Sequence, residues 1–500
     1  MPICVTSEPM RHQTAAVAKL KGSRVGGLFM DMGTGKSLTA MMLAEHRQDR
    51  VDKVWWGCPC SLRRNVVGEI LKHTTAGEAD IHILTSESRD EEIAAATWIV
   101  FGIESVGQSD AVTLKLARHV SERSMMIVDE STFIKGPRAK RTDRLTKIGS
   151  VCRYRLVMTG TPLTQGIVDL YAQMRFLSEK ILGYSSFWSF ARAHVVYRKE
   201  KINGREITTD HIIGYRQIEP VIENVAPYVF QITKSECLDL PEKIHVERSF
   251  EMTPEQREVY EAIKVDMILN RSVDDFVGRG ASIALFRLFA ALQKVTAGIH
   301  RRSDGSFIEH DRVDTLMRFV GQVPEREPTI VWTKFRACAD QILPALEKEY
   351  GRGCATIFDG RYTDSGKQAN LARWREGRHR FLLATAESGG RGLTLNESAF
   401  AFFYADGFKY ENRQQGEDRI HRIGQGRRPT YGSIHCEDSI DERIRQNIAS
   451  KGATLGDFKR RIEKESRSRL KDRLLEFVSG TTPTASPIEK QRRSLIYEPS

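Results

Sequence analysis

Short, uninterrupted apolar runs separated by longer amphipathic stretches organise the first third of the chain. Runs at 25–30, 54–57, 97–101, 125–128 and 155–158 have the length and apolarity of strands buried on both faces. A second series follows at 329–332, 355–358, 381–384, 399–404 and 430–435. Strands alternating with helix-period segments predict parallel sheets wrapped by helices, so the chain reads as two α/β lobes. The text between them, about 165–310, is charged and of helical period, as in 254–268 and 283–295, and reads as insertions projecting from the lobes. Beyond 450 the sequence turns basic and Ser/Thr/Pro-containing, with 12 Lys or Arg against 7 Asp or Glu over 451–500. That tail reads as partly helical over 458–477 and disordered after it. The expected boundaries are 1–235 for the first lobe, with a helical insertion from about 178, then 236–305 for a helical protrusion, 306–449 for the second lobe and 450–500 for the tail.

Length agrees with this division, since 500 residues exceed one ordinary core. Lys and Arg number 76 against 65 Asp and Glu, and a net charge of +11 fits a polyanionic partner. The eight cysteines are scattered, and Cys58 and Cys60 have no second pair at zinc-ligand spacing, so reduced thiols are expected. No 18-residue apolar run and no basic-then-apolar leader pattern occur, which points to a cytoplasmic protein without a membrane span.

Two segments about 385 residues apart carry the chemistry. Asp31-Met32-Gly33-Thr34-Gly35-Lys36-Ser37 lies between an expected strand and an expected helix at 38–46. In that context the backbone N–H groups face phosphates, Lys36 reaches the β and γ groups, and Ser37 can ligate Mg²⁺. The first glycine of the usual GxxxxGK[ST] pattern is Met30 here, which favours the helicase variant of the loop. Asp129-Glu130 ends another expected strand, where ligands collect in an open α/β sheet. Asp129 would hold the Mg²⁺ and Glu130 would polarise the attacking water. Near the other end, Arg419 and Arg422 in Gln415-Gly416-Glu417-Asp418-Arg419-Ile420-His421-Arg422 stand three apart and would share one helix face.

The order of DMGTGKS, CPCSLRRNVVGEI, VDEST, MTGTPLTQGIVDLYAQMRFL, ESGGRGLTL and QGEDRIHRIGQ resembles the helicase motifs of the Swi/Snf family of DNA-dependent ATPases. The Glu-Asp-Arg before His-Arg-Ile-Gly-Gln resembles the annealing-helicase branch, and the compactness is similar to that of short bacteriophage and bacterial members. The resemblance spans about residues 10–445. It implies two RecA-like lobes, with helical protrusions and duplex DNA in the cleft between them.

Carried over by position, Gln13 matches the glutamine that reads the adenine edge, and Met32, Gly33, Thr34, Gly35, Lys36, Ser37, Gly392 and Gln415 match nucleotide-binding positions. Ser61 and Asn65, with Thr159 and Thr161, match positions that contact the DNA backbone or couple it to the ATP site. From the residues alone, Gln13 could simply open a helix and Ser61 could be a helix N-cap. Thr394, assigned with Ser61 and Asn65 to DNA contact or coupling, stands where many members have asparagine, and Arg422 matches the arginine finger. The family's Asp-Glu-x-His box is Asp129-Glu130-Ser131-Thr132 here, so its imidazole is missing. The expected function is a Mg²⁺-ATP-dependent motor, with a monomeric core, on duplex or branched DNA. A strand-separating DNA or RNA helicase and a non-hydrolytic DNA-binding scaffold are the alternatives. No hairpin wedge stands out in 165–310.

Overall fold

A computed structural model of the chain describes residues 3–160, 162, 166–202, 205–276, 281–385, 393–450 and 469–479. They fall into two compact units, Met1–Asp239 and Leu240–Ser500.

In the first unit the five apolar runs become β1 (Val25–Met30), β2 (Lys53–Cys58), β4 (Trp98–Gly102), β5 (Ser124–Asp129) and β6 (Tyr154–Thr159), and an unexpected half-buried strand, β3 (Ile81–Leu84), precedes β4. A hairpin of β7 (Val195–Ile202) and β8 (Arg205–Tyr215) follows, and then β9 (Val229–Ile232). The sheet order is β3-β4-β2-β5-β6-β1-β9, with every pairing parallel. Alternate residues of a strand feed different cores. Trp55, Ile99, Met126 and Val157 pack on one face, whereas Trp56, Val100, Ile127 and Met158 pack on the other. Double-faced burial explains the unbroken apolar runs.

The second unit holds β10 (Ile244–Phe250), β11 (Thr329–Thr333), β12 (Ala355–Phe358), β13 (Phe381–Thr385), β14 (Phe400–Phe403) and β15 (Thr430–Cys436). They pair in parallel in the order β10-β15-β14-β11-β13-β12. Arg312, 1% exposed, ties this sheet to its helices. Its guanidinium donates to the carbonyls of Tyr404 (2.6 Å), Thr296 (3.0 Å) and Ile434 (2.7 Å) and to the Asp441 carboxylate (2.6 Å). A buried charge persists only when its donors are satisfied this way.

The reading of 165–310 as helical insertions needs correction. The helices Pro254–Lys264 and Ala281–Thr296 are there, but so is the β7–β8 hairpin, and β9 and β10 are sheet strands. β10 escapes notice because it is an edge strand, exposed over most of its length, so its sequence reads polar. β9 is only four residues long.

The tail also differs. Helix Leu470–Val478 belongs to the second unit's helical core, where Leu470, Leu474, Phe477 and Val478 are buried with Tyr260, Leu288 and Phe289. Tyr260 Oη donates to the Val478 carbonyl (2.6 Å) and accepts the Ile440 N–H (2.9 Å), joining three helices at one hydroxyl. Truncating Phe477 to Ala should therefore cost roughly 2–4 kcal/mol of unfolding free energy, and Tyr260→Phe about 1–3 kcal/mol because a buried N–H and a buried C=O lose their partner. Denaturant titration of the intact chain checks both, and wild-type stability of either variant would free this helix from the core.

Candidate functional site

Parallel strands deliver their carboxyl ends to one edge, and the first unit's polar motifs lie there. β1 runs into a turn in which Gly33 and Gly35 adopt φ of 82° and 84°, the left-handed region that favours glycine. Helix Lys36–Glu45 starts immediately. A Cβ on Gly35 would collide with Gln13 Nε2. Gln13, buried on helix Arg11–Leu20, donates to the carbonyls of Gly35 (3.2 Å) and Thr34 (3.4 Å) and accepts the Met10 N–H (2.8 Å). His12 bonds the Thr34 carbonyl at 2.7 Å. Thr34 Oγ1 donates to the Asp31 carbonyl (2.7 Å), and the Asp31 carboxylate accepts the Lys234 N–H (3.0 Å) just beyond β9. The turn is thus held from two sides. Lys36 Nζ donates to the carbonyls of Met30 (2.8 Å) and Asp31 (3.2 Å), while Met32 and Ser37 are half-buried.

β5 ends at Asp129, and Glu130 then takes φ 48° and ψ 55°, a left-handed conformation costly for a side chain of this size. The Glu130 N–H donates to Asp129 Oδ1 at 2.9 Å. Burial, then the neighbouring Glu130 charge, pushes the Asp129 carboxyl up to about 7, against the pull of Lys36. β6 ends at Thr159, fully buried, and a Cβ on the next residue, Gly160, would meet Met32 N at 3.3 Å. The glycine lets that segment press on the phosphate-loop backbone. Thr161 lies outside the described residues. Ser61 is exposed in the 3-10 turn Cys60–Leu62, and Asn65 is half-buried on helix Arg63–His73. Leu62, not Ser61, occupies that helix's N-cap position.

In the second unit, Arg422 donates to the Leu393 carbonyl (2.9 Å) and to Thr394 Oγ1 (2.8 Å), and Arg419 donates to the same carbonyl (3.2 Å). Thr394, expected to contact or couple DNA, is thus a hydrogen-bond partner of the candidate finger. Gly392 lies outside the described residues. Gln415 is half-buried on helix Tyr410–Glu417. The two arginines were expected on one helix face, but the helix stops at Glu417 and both sit in the turns that follow. Tyr431 Oη donates to the Glu417 carbonyl (2.8 Å), and Arg413 holds the Glu417 carboxylate (2.9 Å), anchoring the chain where it turns. His421 bonds the Pro241 carbonyl at 3.0 Å.

The SNF2-related domain family matches residues 12–297, and the helicase conserved C-terminal domain family matches 311–424. The chain belongs to the SNF2-related family. An uncharacterized ATP-dependent helicase of Mycoplasma genitalium is similar to it, 22% identical over 325 residues that cover 64% of this chain and 29% of that protein. Another, of Mycoplasma pneumoniae, is 23% identical over 443 residues, 86% of this chain and 40% of its own length. This chain therefore spans less than half of either relative. The Pyrococcus furiosus Hef helicase domain has a similar fold, with a TM-score of 0.51 at 16% identity over 88% of this chain and 97% of that one.

In this SNF2-related chain the fourth position of the Asp129 box is Thr132, and one residue earlier Ser131 makes a cross-link to another element. Ser131 Oγ, fully buried, donates to Gln173 Oε1 at 2.6 Å. Gln173, on helix Val168–Leu177, donates in turn to the carbonyls of Asp169 (2.8 Å) and Pro162 (3.2 Å). Glu130's segment and the Thr159–Pro162 segment are joined through one amide. Sequence reasoning missed Gln173, although a glutamine amid the apolar run 167–177 was a visible signal. His12 and Gly160 were missed too, for each gains its role only from the turn it touches. Ser131→Ala strands a buried amide oxygen and should cost about 1–3 kcal/mol. In a double-mutant cycle with Gln173→Leu, the two losses should fall short of adding by about 1 kcal/mol or more, and strict additivity in denaturant unfolding would refute the link.

Proposed function

We propose that this chain is a Mg²⁺-ATP-dependent motor that tracks along duplex or branched DNA. The observation that supports it most is the meeting, at one sheet edge, of the left-handed glycine turn, Lys36, the Asp129–Glu130 pair and Gln13. Lys36 turns its ammonium to the β and γ phosphates, the N–H groups at the start of its helix face the same anion, and Gln13, fixed against Gly35, reads the adenine edge. Among the described residues no three His, Cys, Asp or Glu side chains group to hold a metal. Ser37 and Asp129 offer two oxygens and leave other positions to phosphate and water, a donor set that fits Mg²⁺. The cation, when bound, neutralises charge on the phosphates. Glu130, set at a strained position, orients the attacking water, and Arg422, with Arg419 beside it, supplies charge in the transition state.

DNA is the polyanion that the +11 net charge and the family favour. Ser61, Asn65, Thr159, Thr161 and Thr394 are the proposed contact or coupling positions, and the Ser131–Gln173–Pro162 connection is the route by which they bear on Glu130. The β7–β8 hairpin favours a second reading, a strand-separating helicase, since such an element can act as a wedge.

Lys36→Ala and Glu130→Gln should each abolish DNA-stimulated ATP hydrolysis, the second with nucleotide binding intact. Arg422→Ala should lower turnover on the order of 10³-fold while nucleotide affinity stays within a few-fold, as for a group acting in the transition state. Hydrolysis at the parent rate in either of the first two refutes the site, and equal losses of affinity and rate in the third refute the finger. Triplex displacement with little unwinding of a tailed duplex, at matched ATP turnover, is the expected mode of action. Efficient unwinding without triplex displacement would establish the second reading instead.

A further inference from the structure

The chain has six tryptophans. Five of them, Trp55, Trp56, Trp98, Trp332 and Trp374, are at most 1% exposed, and Trp188 is 53% exposed. Burying an indole is among the largest apolar gains open to a fold, and Trp188 leaves about half of that gain unused. Trp188 sits in the first turn of helix Phe187–His194, at the foot of the β7–β8 hairpin, which begins at the next residue, Val195.

Its surroundings are cationic. The Arg138 guanidinium lies over the indole, 4.4 Å from the ring centroid. Arg192 is exposed one helical turn further on, on the same face. Arg216 is exposed beside that helix's end, where its Nε donates to the Ala193 carbonyl at 2.9 Å. No ion pair to a carboxylate is made by Arg138, Arg192 or Arg216 among the described residues, and all three are exposed. An accessible π-face among exposed guanidinium groups is the chemistry that holds an unpaired nucleobase together with its phosphates. Paired bases in a duplex do not offer their faces, so such a site discriminates against plain duplex.

We propose that Trp188, with Arg138 and Arg192, is a stacking site for an unpaired base of single-stranded DNA, through which the protein engages the open strand of a branched substrate. The proposal rests on the reading of the chain as a DNA motor. It also places the contact close in sequence to the chemistry, since Arg138 follows the Ser131–Ile134 turn that leaves Glu130.

The test uses the full chain. Because the other five indoles are buried, tryptophan emission accessible to a quencher reports Trp188. Titrating wild-type protein with an oligothymidylate, without nucleotide, should quench that component, and Trp188→Phe should remove it. Trp188→Ala should weaken binding of the oligothymidylate and of a forked DNA about 5- to 100-fold, with affinity for a blunt duplex within about two-fold. Trp188→Tyr should retain most of the affinity, and Arg138→Ala should weaken single-strand binding while preserving the duplex-stimulated ATPase rate. Equal losses on blunt duplex and single strand, no loss on either, or equal quenching by polyglutamate would each overturn the proposal. If no DNA stimulates hydrolysis in the wild type, the motor reading fails by itself, and the nucleotide-free quenching titration still decides the stacking site.

Discussion

Parallel pairing is the constraint from which everything else in each unit follows. Because β1, β5, β6 and β2 run the same way, with Val25 opposite Arg155 and Met125 opposite Tyr154, their last residues emerge at one edge. The segments after them have no freedom to lie elsewhere. Met30, Asp129, Thr159 and Cys58 therefore hand the chain over within one region, and the polar groups following them become neighbours although up to 130 residues separate them. The same rule brings Thr333, Thr385 and Phe403 to one edge in the second unit. A sheet of this kind is a stable platform whose single reactive edge is fixed by hydrogen-bond direction rather than by particular side chains.

What that edge carries is costly to hold, and the costs are met locally. Two left-handed glycines, a left-handed glutamate and a carboxyl pushed up to about 7 all work against folding. Gln13 and His12 secure the glycine turn on one side and the Lys234 N–H holds Asp31 on the other, so the turn cannot relax without breaking bonds to two separate elements. The late strand β9 takes its meaning here. It returns beside β1 after the hairpin, and the Ile232 carbonyl accepts the Asp31 N–H at 3.1 Å, so the insertion is closed off against the phosphate loop itself.

Much of this was legible in the sequence, and the failures share a cause. Every strand buried on both faces was visible as an apolar run, because its two faces enter two cores and no polar alternation interrupts it. The sheet strands that water reaches, Ile81–Leu84, Val229–Ile232 and Ile244–Phe250, were not, whereas the edge strand Ala355–Phe358 was, because all four of its residues are buried. Ile244–Phe250 reads as a polar stretch, and Arg205–Tyr215 reads as charged. The hairpin had one plain cue, Asn203-Gly204 between β-rich runs, the pair most suited to a two-residue reversal. The glycine turn and the acid pair were legible because chemistry demands those residue types in that order. Ser131 and Gln173 were not, because a hydrogen bond between positions 42 apart has no local signature.

The arginines at 419 and 422 come together without the helix that was expected to align them. Three-residue spacing puts two side chains on one helix face, yet here the helix has already ended. They still converge, because both reach the single carbonyl of Leu393, and Asn396 and Gln425 hold the flanking strands of chain together through Nδ2 to the Ile423 carbonyl (3.3 Å) and Nε2 to the Ser398 carbonyl (2.8 Å). A turn fixed by such bonds sets side-chain direction as firmly as a helix would, but it can be rearranged one bond at a time. In a helix, moving Arg422 would mean unwinding a cooperative ladder. In this turn it means breaking local bonds, among them those to the Leu393 carbonyl and the Thr394 hydroxyl.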